Sequence, residues 1–317
     1  MWPFLWATTA LVAVTSLTQT AVRAGEFGEP ADREFKAKID GSVERYVELL
    51  PQGFDPKKPG DLLIALHGHG SDRWQYVKDA RGECKGVRDV AARHGMIFVS
   101  PDYRAKTSWM GPQAEADLVQ LIALLREQHK VGRVYLTGAS MGGTSVLIFA
   151  ALHPDLIDGV LSENGTANMI EYTNFQEAII ASYGGTKQEK PEEYKKRSPE
   201  LTPERFTMPV AVTVGGLDTS VPPDSVRRLV QHWQKLGKKD VLMIDRPKVG
   251  HETNYDDTVT ALEFVIKAAA AKKPAARTDK KAEPAKKAAS VGSETKAASN
   301  MPAQGGSASP AAPGGQP

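Results

Sequence analysis

The stretch from Arg133 to Gly143 constrains the fold more than any other part of the chain. Four β-favouring residues, V-Y-L-T, run directly into G-A-S-M-G, and an apolar helical pattern follows from Thr144 to Leu152. A turn this tight crowds the positions two before and two after its apex, so both favour a residue without Cβ. Gly138 and Gly142 occupy those positions. The sequence therefore predicts a strand, a sharp turn and a helix, with Ser140 at the apex.

Ser140 is a candidate nucleophile because of this placement. A serine hydroxyl reacts only when a base can take its proton, so it must stand clear of its own backbone. The same turn points the amide of Met141, at the start of the helix, toward the place where an oxyanion would form. G-x-S-x-G also occurs by chance, but the flanking strand and helix are the context that the catalytic motif requires.

Apolar runs and helical patterns alternate along most of the chain. This alternation predicts an α/β fold with a doubly wound, mostly parallel sheet covered on both faces, whose ligand site lies at the carboxyl ends of the strands. The predicted strands are 42–50, 61–66, 96–99, 134–137, 159–161, 210–214 and 241–244, and the predicted helices are 74–93 (interrupted around 82–86), 113–129, 144–152, 224–236 and 256–270.

Asp218 is the preferred acidic partner for a catalytic histidine. It ends the segment V-T-V-G-G-L-D, in which a strand opens into a glycine-rich loop, and a carboxylate held there could fix the tautomer of an imidazole. A turn or helix-capping role is the alternative. Asp158, Glu163 and Asp245 lie near other strand ends and remain rival acids.

His251 is the preferred base among the seven histidines. It lies in K-V-G-H-E, between the last predicted strand and the last predicted helix. Of the histidines, it alone combines a strand-end position with the chain order Ser, Asp, His. The remaining helix-associated histidines, for which surface or capping roles are expected, are His94, His129, His153 and His232.

The loop H-G-H-G at 67–70 directly follows another buried strand. Its glycines permit a tight turn, and the backbone amide of His69 could be a second oxyanion donor opposite Met141. A metal site at His67 and His69 is the alternative, but no acidic or histidine cluster accompanies them. The single cysteine, Cys84, matches no cysteine-hydrolase signature, and a lone cysteine cannot form an intramolecular disulfide.

Four segments in the correct order carry a family resemblance: L-H-G-H-G, G-A-S-M-G-G, V-G-G-L-D-T-S-V-P and V-G-H-E. Over residues 43–270 the chain resembles the α/β-hydrolase superfamily, in particular esterases of the dienelactone hydrolase, phospholipase/carboxylesterase and polyhydroxybutyrate depolymerase-like kind. The resemblance implies Ser140 as nucleophile, Asp218 as acid and His251 as base, with the amides of Met141 and His69 as oxyanion donors. It implies no cofactor and no metal.

Residues 164–209 interrupt the alternation of strands and helices. In the resembled superfamily an insertion at this place often caps the pocket, so a short lid is expected here. A surface excursion with one or two helices is the alternative. Tyr103 and Trp109, which follow a predicted strand, are candidate substrate-binding residues, although aromatic side chains in such loops also serve packing.

The two ends differ in composition from the middle. Residues 1–24 have no charge from Trp2 to Val22 and small residues around Ala24, which predicts a signal peptide, with an uncleaved membrane anchor as the alternative.

Residues 271–317 contain eight basic and three acidic residues, giving 8 − 3 = +5, whereas the whole chain carries +2. Such a segment buries too little apolar surface to fold, so a disordered tail is expected, with weak contact to an anionic surface as a hypothesis. The catalytic domain is predicted over residues 25–270.

These features together predict an exported serine hydrolase, periplasmic or extracellular, that cleaves a small-molecule or polymer ester through an acyl-enzyme. No nucleic-acid partner is expected. A serine peptidase of the prolyl-oligopeptidase type shares the order of the triad and is an alternative, although the long propeller region of such enzymes is not found in the sequence. A surface-tethered protein of the same fold without turnover is the other alternative.

The predicted signal peptide can be tested by the mass of the exported protein. Because V-R-A offers the small residues that signal peptidase requires, we expect a mature chain that begins at Gly25. Mass spectrometry of the protein from a bacterial host with an intact export pathway measures this. A chain retaining Met1 in the membrane fraction would instead indicate an anchor.

Overall fold

A mostly parallel sheet organises the described part of the chain. The computed structural model describes residues 25–272, so the predicted signal peptide and nearly all of the predicted tail lie outside it. The eight strands are β1 (Ala31–Lys36), β2 (Val43–Leu49), β3 (Gly60–Leu66), β4 (Ile97–Pro101), β5 (Val131–Ala139), β6 (Gly159–Glu163), β7 (Val210–Gly215) and β8 (Val241–Arg246). Their order is β1-β2-β4-β3-β5-β6-β7-β8, antiparallel where β2 pairs with β1 and β4 and parallel elsewhere. The predicted α/β-hydrolase sheet is confirmed.

Helices cover both faces of this sheet. The α-helices of the described residues are α1 (Gln75–Lys78), α2 (Gly82–Arg93), α3 (Pro112–Gln128), α4 (Met141–Leu152), α5 (Gln176–Tyr183), α6 (Pro191–Lys196), α7 (Asp224–Lys235) and α8 (Tyr255–Ala270). Two 3₁₀ turns, Pro199–Leu201 and Pro203–Arg205, lie between α6 and β7. None of the helices in residues 25–272 is both long and apolar enough to cross a bilayer.

The alternation of side chains along β3 explains the two layers. Leu62, Ile64 and Leu66 are buried in one apolar core together with α3, α4 and α7. Leu63 and Ala65 point the other way, into a second core that contains α2 and α8. A strand with both faces buried reads as a continuous apolar run, which is how D-L-L-I-A-L appears in the sequence.

One expectation about local structure was wrong, and one strand was not predicted. The break in the helix predicted over residues 74–93 lies at 79–81, and Gly82 and Gly86 lie inside α2. These glycines permit close packing with α8, because a Cβ on Gly82 would lie 2.6 Å from the backbone nitrogen of Tyr255. Strand β1 was not predicted because it lies at the edge of the sheet and its residues, A-D-R-E-F-K, are mostly polar and exposed.

The insertion at 164–209 is anchored to the main body by a buried arginine. Arg197 is fully buried, and its guanidinium lies 2.6 Å from Glu115 on α3 and 3.1 Å from Glu193. Burial opposes ionisation of Glu115, but a hydrogen bond from His153 and the charges of Arg197 and Lys196 prevail and lower its pKa to about 2. Whether this insertion acts as a lid stays a prediction.

Loss of this ion pair should destabilise the fold. Arg197→Ala leaves the carboxylate of Glu115 without its buried partner, and we expect a loss of about 3–5 kcal/mol in the free energy of unfolding. Urea denaturation measures it. Arg93→Ala, which breaks an exposed pair with Glu263, is the matched control and should cost roughly 0–1 kcal/mol. Equal losses in the two variants would contradict the structural role of Arg197.

Candidate active site

The backbone at Ser140 has the strained geometry that the sequence predicts. Its φ is 59° and its ψ is −119°, a region that non-glycine residues rarely adopt. Ser140 immediately precedes α4 and follows β5. The glycines on either side are required by close backbone contacts: a Cβ on Gly142 would lie 2.0 Å from the carbonyl oxygen of Leu66, and one on Gly138 would lie 2.6 Å from the carbonyl carbon of Gly142. Ser140 is thus held at a sharp apex above the sheet.

Three side chains predicted to act together form a hydrogen-bonded series. The Nε2 atom of His251 lies 2.9 Å from the hydroxyl oxygen of Ser140, and its Nδ1 atom lies 2.6 Å from Oδ2 of Asp218. The other carboxylate oxygen, Oδ1, accepts hydrogen bonds from the backbone amides of Ser220 and Val221. The Asp218 side chain is almost completely buried, whereas 31% of the His251 side chain is exposed. This is the arrangement in which an aspartate orients an imidazole toward a serine; that it catalyses a reaction stays a prediction.

Backbone contacts between two loops position the acid against the base. The amide of Leu217 donates to the carbonyl of Val249 at 2.9 Å. A Cβ on Gly215 would lie 2.0 Å from the carbonyl oxygen of Gly250, so the loop before Asp218 can approach the loop before His251 only with glycine there. The G-G in V-T-V-G-G-L-D therefore serves this contact.

The rival acids make other contacts. The carboxylate of Asp158 accepts from the amide of Val134, and Asp245 pairs with Arg227. Glu163 accepts a hydrogen bond from the hydroxyl of Thr258 at 2.5 Å. The geometry therefore places Asp218, and none of these three, next to His251.

The two predicted oxyanion donors belong to segments that meet at the elbow. Met141 is the first residue of α4, so its amide has no acceptor within the helix. A Cβ on Gly142 would lie 2.9 Å from the carbonyl oxygen of His67, and one on Gly68 would lie 3.7 Å from that of Ala139, so the loop containing His69 packs directly against the turn. The two amides are therefore carried on adjoining backbone segments, as an oxyanion hole requires.

Hydrogen bonds of buried side chains fix the loop around His69. His67 is fully buried, with its ring nitrogens 2.8 Å from the carbonyl of Gly68 and 3.1 Å from that of Asp102. Burial lowers its pKa. Within residues 25–272 no group of three or more His, Cys, Asp or Glu side chains is arranged to hold a metal ion. Cys84 is buried, and burial raises the pKa of its thiol to about 12, so it stays protonated at neutral pH.

Tyr103 and Trp109, predicted to bind substrate, support the site from within the core. The hydroxyl of Tyr103 donates to the carbonyl of His67 at 2.6 Å, and only 2% of the residue is exposed. Trp109 is fully buried, and its indole N–H donates to Nδ1 of His69 at 3.1 Å. Both residues therefore stabilise the loop that carries His69.

The insertion borders the site through a short segment before α5. The hydroxyl of Tyr172 donates to the carbonyl of Ser220 at 2.9 Å, and the side-chain amide of Asn174 donates to the carbonyls of Thr219 and Ser220. The neighbouring ring of Phe175 is 38% exposed. These contacts tie the insertion to the loop that carries Asp218.

Asn164 is a positioning residue that the sequence analysis missed. It follows β6 directly, has a φ of 47°, and donates a hydrogen bond from its side-chain amide to the carbonyl of Glu252 at 2.8 Å, next to His251. The signal that could have revealed it is the Asn-Gly pair at the end of a strand, because such pairs mark tight turns.

Glu163, beneath the turn, is a buried carboxyl group with a perturbed pKa. Its carbonyl oxygen accepts from the amide of Ser140 at 2.8 Å, and its side chain is fully buried. Burial is the main cause that raises its pKa to about 8, with a smaller contribution from the charges of Glu83 and Asp257. The side chain is therefore neutral at pH 7 and can donate a proton.

This carboxyl group should make stability depend on pH. Because the folded pKa is raised above the unfolded value, the stabilisation is complete below pH 4 and is lost as the pH rises through about 8. Glu163→Gln keeps the shape without the ionisation, so the loss of unfolding free energy between pH 5 and pH 9 should be smaller than in the parent. Urea denaturation at the two pH values measures this, with exposed Glu127→Gln as control. An unchanged pH dependence in Glu163→Gln would show that Glu163 ionises normally.

Comparison with known proteins identifies a family and a fold. The profile of the prolyl oligopeptidase family matches residues 88–270, which is more than half of the chain and includes the elbow, Asp218 and His251. No curated protein matches the chain.

Solved structures show the same fold at low identity. FphF, a fluorophosphonate-binding serine hydrolase of Staphylococcus aureus, is 15% identical with a TM-score of 0.57 over 76% of this chain and 98% of its own. A ferulic acid esterase is 18% identical with a TM-score of 0.59 over 76% of this chain and 97% of its own. An acylaminoacyl peptidase of Pyrococcus horikoshii is 17% identical with a TM-score of 0.57 over 76% of this chain, which spans only 40% of the peptidase. At these identities the likeness establishes the fold alone.

Proposed function

The chain belongs to the prolyl oligopeptidase family of serine hydrolases, and we propose that within it this protein is an exported esterase that cleaves carboxylic esters through an acyl-enzyme. The observation that carries the proposal is the hydrogen-bonded series Ser140, His251 and Asp218 at the carboxyl ends of parallel strands. No cofactor is needed for this chemistry.

The first half of the reaction forms the acyl-enzyme. The hydroxyl oxygen of Ser140 attacks the ester carbonyl while its proton passes to Nε2 of His251. Asp218 accepts from Nδ1–H and stabilises the resulting imidazolium. The carbonyl oxygen becomes negative, and the amides of Met141 and His69 donate to it.

The second half of the reaction releases the acid. The tetrahedral intermediate collapses, the bond to the alcohol breaks, and His251 gives its proton to the departing oxygen. Water then attacks the acyl-enzyme and loses a proton to Nε2 of His251. The bond between the acyl carbon and the Ser140 oxygen breaks, the acid leaves, and Nε2 returns the proton to the Ser140 oxygen. Because 31% of the His251 side chain is exposed, water can reach its imidazole ring.

Peptide hydrolysis is the second candidate function. It is favoured by the family match, since the same triad order serves acylaminoacyl and other oligopeptidases. Ester hydrolysis is supported by the similarity of the fold to a ferulic acid esterase, which is matched over 97% of the esterase's own length. The two candidates differ in the leaving group, so they can be separated with one acyl group on two leaving groups.

Export rests on the sequence alone. Residues 1–24 have the uncharged apolar run and the small residues of a signal peptide, and the basic segment 271–317 is proposed to contact anionic surfaces weakly after export. Both segments lie outside the described residues.

Substitution of Ser140 or His251 should abolish ester turnover. We expect Ser140→Ala and His251→Ala each to lower kcat for p-nitrophenyl acetate by roughly a thousandfold or more, because each removes a group that acts in the transition state. Ser42→Ala and His94→Ala, which alter a serine and a histidine elsewhere on the surface, are the matched controls. Labelling by a fluorophosphonate should be lost in Ser140→Ala, strongly slowed in His251→Ala and retained in both controls.

The leaving group decides between the two candidates. The p-nitrophenyl ester of N-acetylalanine should be hydrolysed, whereas its p-nitroanilide should show no turnover above that of Ser140→Ala. Anilide turnover that depends on Ser140 would assign the protein to the peptidases. No turnover of either substrate and no labelling would exclude the enzymatic proposal.

A further inference from the structure

Four rings form a continuous cluster beside the candidate active site. His69 lies 4.6 Å from Phe175 and 5.9 Å from Trp109, measured between ring centroids. Trp109 in turn lies 5.2 Å from Phe175 and 5.4 Å from Tyr172. All four distances fall within the range of favourable aromatic pairs. We call these four residues the aromatic cluster.

The position of the aromatic cluster is fixed from two sides. On one side, His69 belongs to the loop that packs against the elbow of Ser140. On the other side, the hydroxyl of Tyr172 donates to the carbonyl of Ser220, whose own amide donates to Asp218. The cluster therefore spans the distance between the predicted oxyanion loop and the acid loop.

The backbone is strained at two residues of the aromatic cluster, Trp109 and Phe175. Trp109 has a φ of 43° and Phe175 has a φ of 53°, and bulky side chains rarely adopt this left-handed region. Such strain persists only where the surroundings enforce it, and it concentrates at sites that bind ligands. Helix α5 begins directly after Phe175, so the strained residue turns the chain at the rim of the site.

The imidazole of His69 is held in one tautomer. Indole N–H groups only donate, so Nδ1 of His69 must be the acceptor of the hydrogen bond from Trp109, and the ring proton lies on Nε2. Burial also lowers the pKa of His69, which agrees with a neutral ring. The cluster therefore presents an uncharged aromatic surface at neutral pH.

Two of the rings are accessible and two are supports. Trp109 is fully buried and Tyr172 is 5% exposed, so both form the floor. His69 is half-buried and Phe175 is 38% exposed, so a ligand can contact these two rings.

We propose that the aromatic cluster binds a flat aromatic group on the acyl side of the ester, with His69 and Phe175 as the specificity-determining residues; this inference rests on the proposed esterase function. The acyl side is chosen because the alcohol must depart next to Nε2 of His251, which protonates it. The aromatic cluster instead contains His69, whose backbone amide is expected to bind the oxygen of the acyl carbonyl. A ring of the substrate would gain stacking on Phe175 and His69 that an aliphatic group of equal size lacks.

The test compares substrates that differ only in aromaticity. The p-nitrophenyl esters of 3-phenylpropanoate and 3-cyclohexylpropanoate are hydrolysed by the mature chain, and the ratio of their kcat/KM values is determined. Benzyl acetate and cyclohexylmethyl acetate form the corresponding pair on the alcohol side. The parent should prefer the phenyl compound in the first pair and show no such preference in the second.

The variants test which rings are responsible. Phe175→Leu should lower the phenyl-to-cyclohexyl ratio by roughly threefold to tenfold, the range expected for one aromatic pair, mainly through KM. Trp109→Phe removes the indole N–H that orients His69 and should lower the ratio in the same direction. As controls, Phe54→Leu removes a Phe–His contact remote from Ser140, between Phe54 and His129. Trp233→Phe removes a buried indole N–H, which in this case donates to the backbone carbonyl of Pro203. These two controls should leave the ratio at its parental value.

The outcomes separate this inference from the proposed function. Turnover of p-nitrophenyl acetate with no phenyl preference, a preference confined to the alcohol pair, or an equal change in the controls would overturn the inference and leave the esterase standing. If no ester is hydrolysed, binding decides: calorimetry with Ser140→Ala should show tighter binding of 3-phenylpropanoate than of 3-cyclohexylpropanoate, and equal binding would overturn the inference.

Discussion

The contact on which the candidate site depends is the approach of the turn at Ser140 to the end of β3. The carbonyl of Leu66 lies where a side chain on Gly142 would begin, so the turn and the strand can meet only through glycine. This contact sets the left-handed backbone of Ser140 and brings the loop of His69 beside it. A second backbone approach of the same kind, between Gly215 and Gly250, brings Asp218 to His251. Both parts of the site are thus positioned by close packing of the main chain.

The sequence predicted most of the sheet and the positions of the three central residues because both depend on local patterns. Apolar runs identify buried strands, and glycines at strand ends identify the loops that carry Ser140, Asp218 and His251. The sequence pattern did not predict the role of residues whose contacts are made with distant parts of the chain. Gly82 was interpreted as a helix break, but it permits contact between α2 and α8. The polar edge strand β1 has no apolar period and left no comparable signal.

Contacts between the insertion and the rest of the chain could not be predicted for the same reason. Nothing in the sequence relates Phe175 to His69, which are separated by more than a hundred residues and meet only after the sheet has formed. Likewise, Tyr103 and Trp109 were expected to bind substrate, and their placement in the core shows that an aromatic residue in a loop can serve a site by supporting it. The family match agrees with the strand-end motifs, which are the part of the chain that local sequence specifies best.

The hydrogen bonds from the insertion to the loop of Asp218 link the insertion to the geometry of the candidate site. Tyr172 and Asn174 together donate to the carbonyls of Thr219 and Ser220, and these residues adjoin the amides that hold the carboxylate of Asp218. Displacing the insertion would break these hydrogen bonds, each worth about 0.5–1.5 kcal/mol, and would loosen the loop that orients the base. The orientation of the imidazole therefore depends on the insertion as well as on the sheet, although the insertion contributes no member of the hydrogen-bonded series.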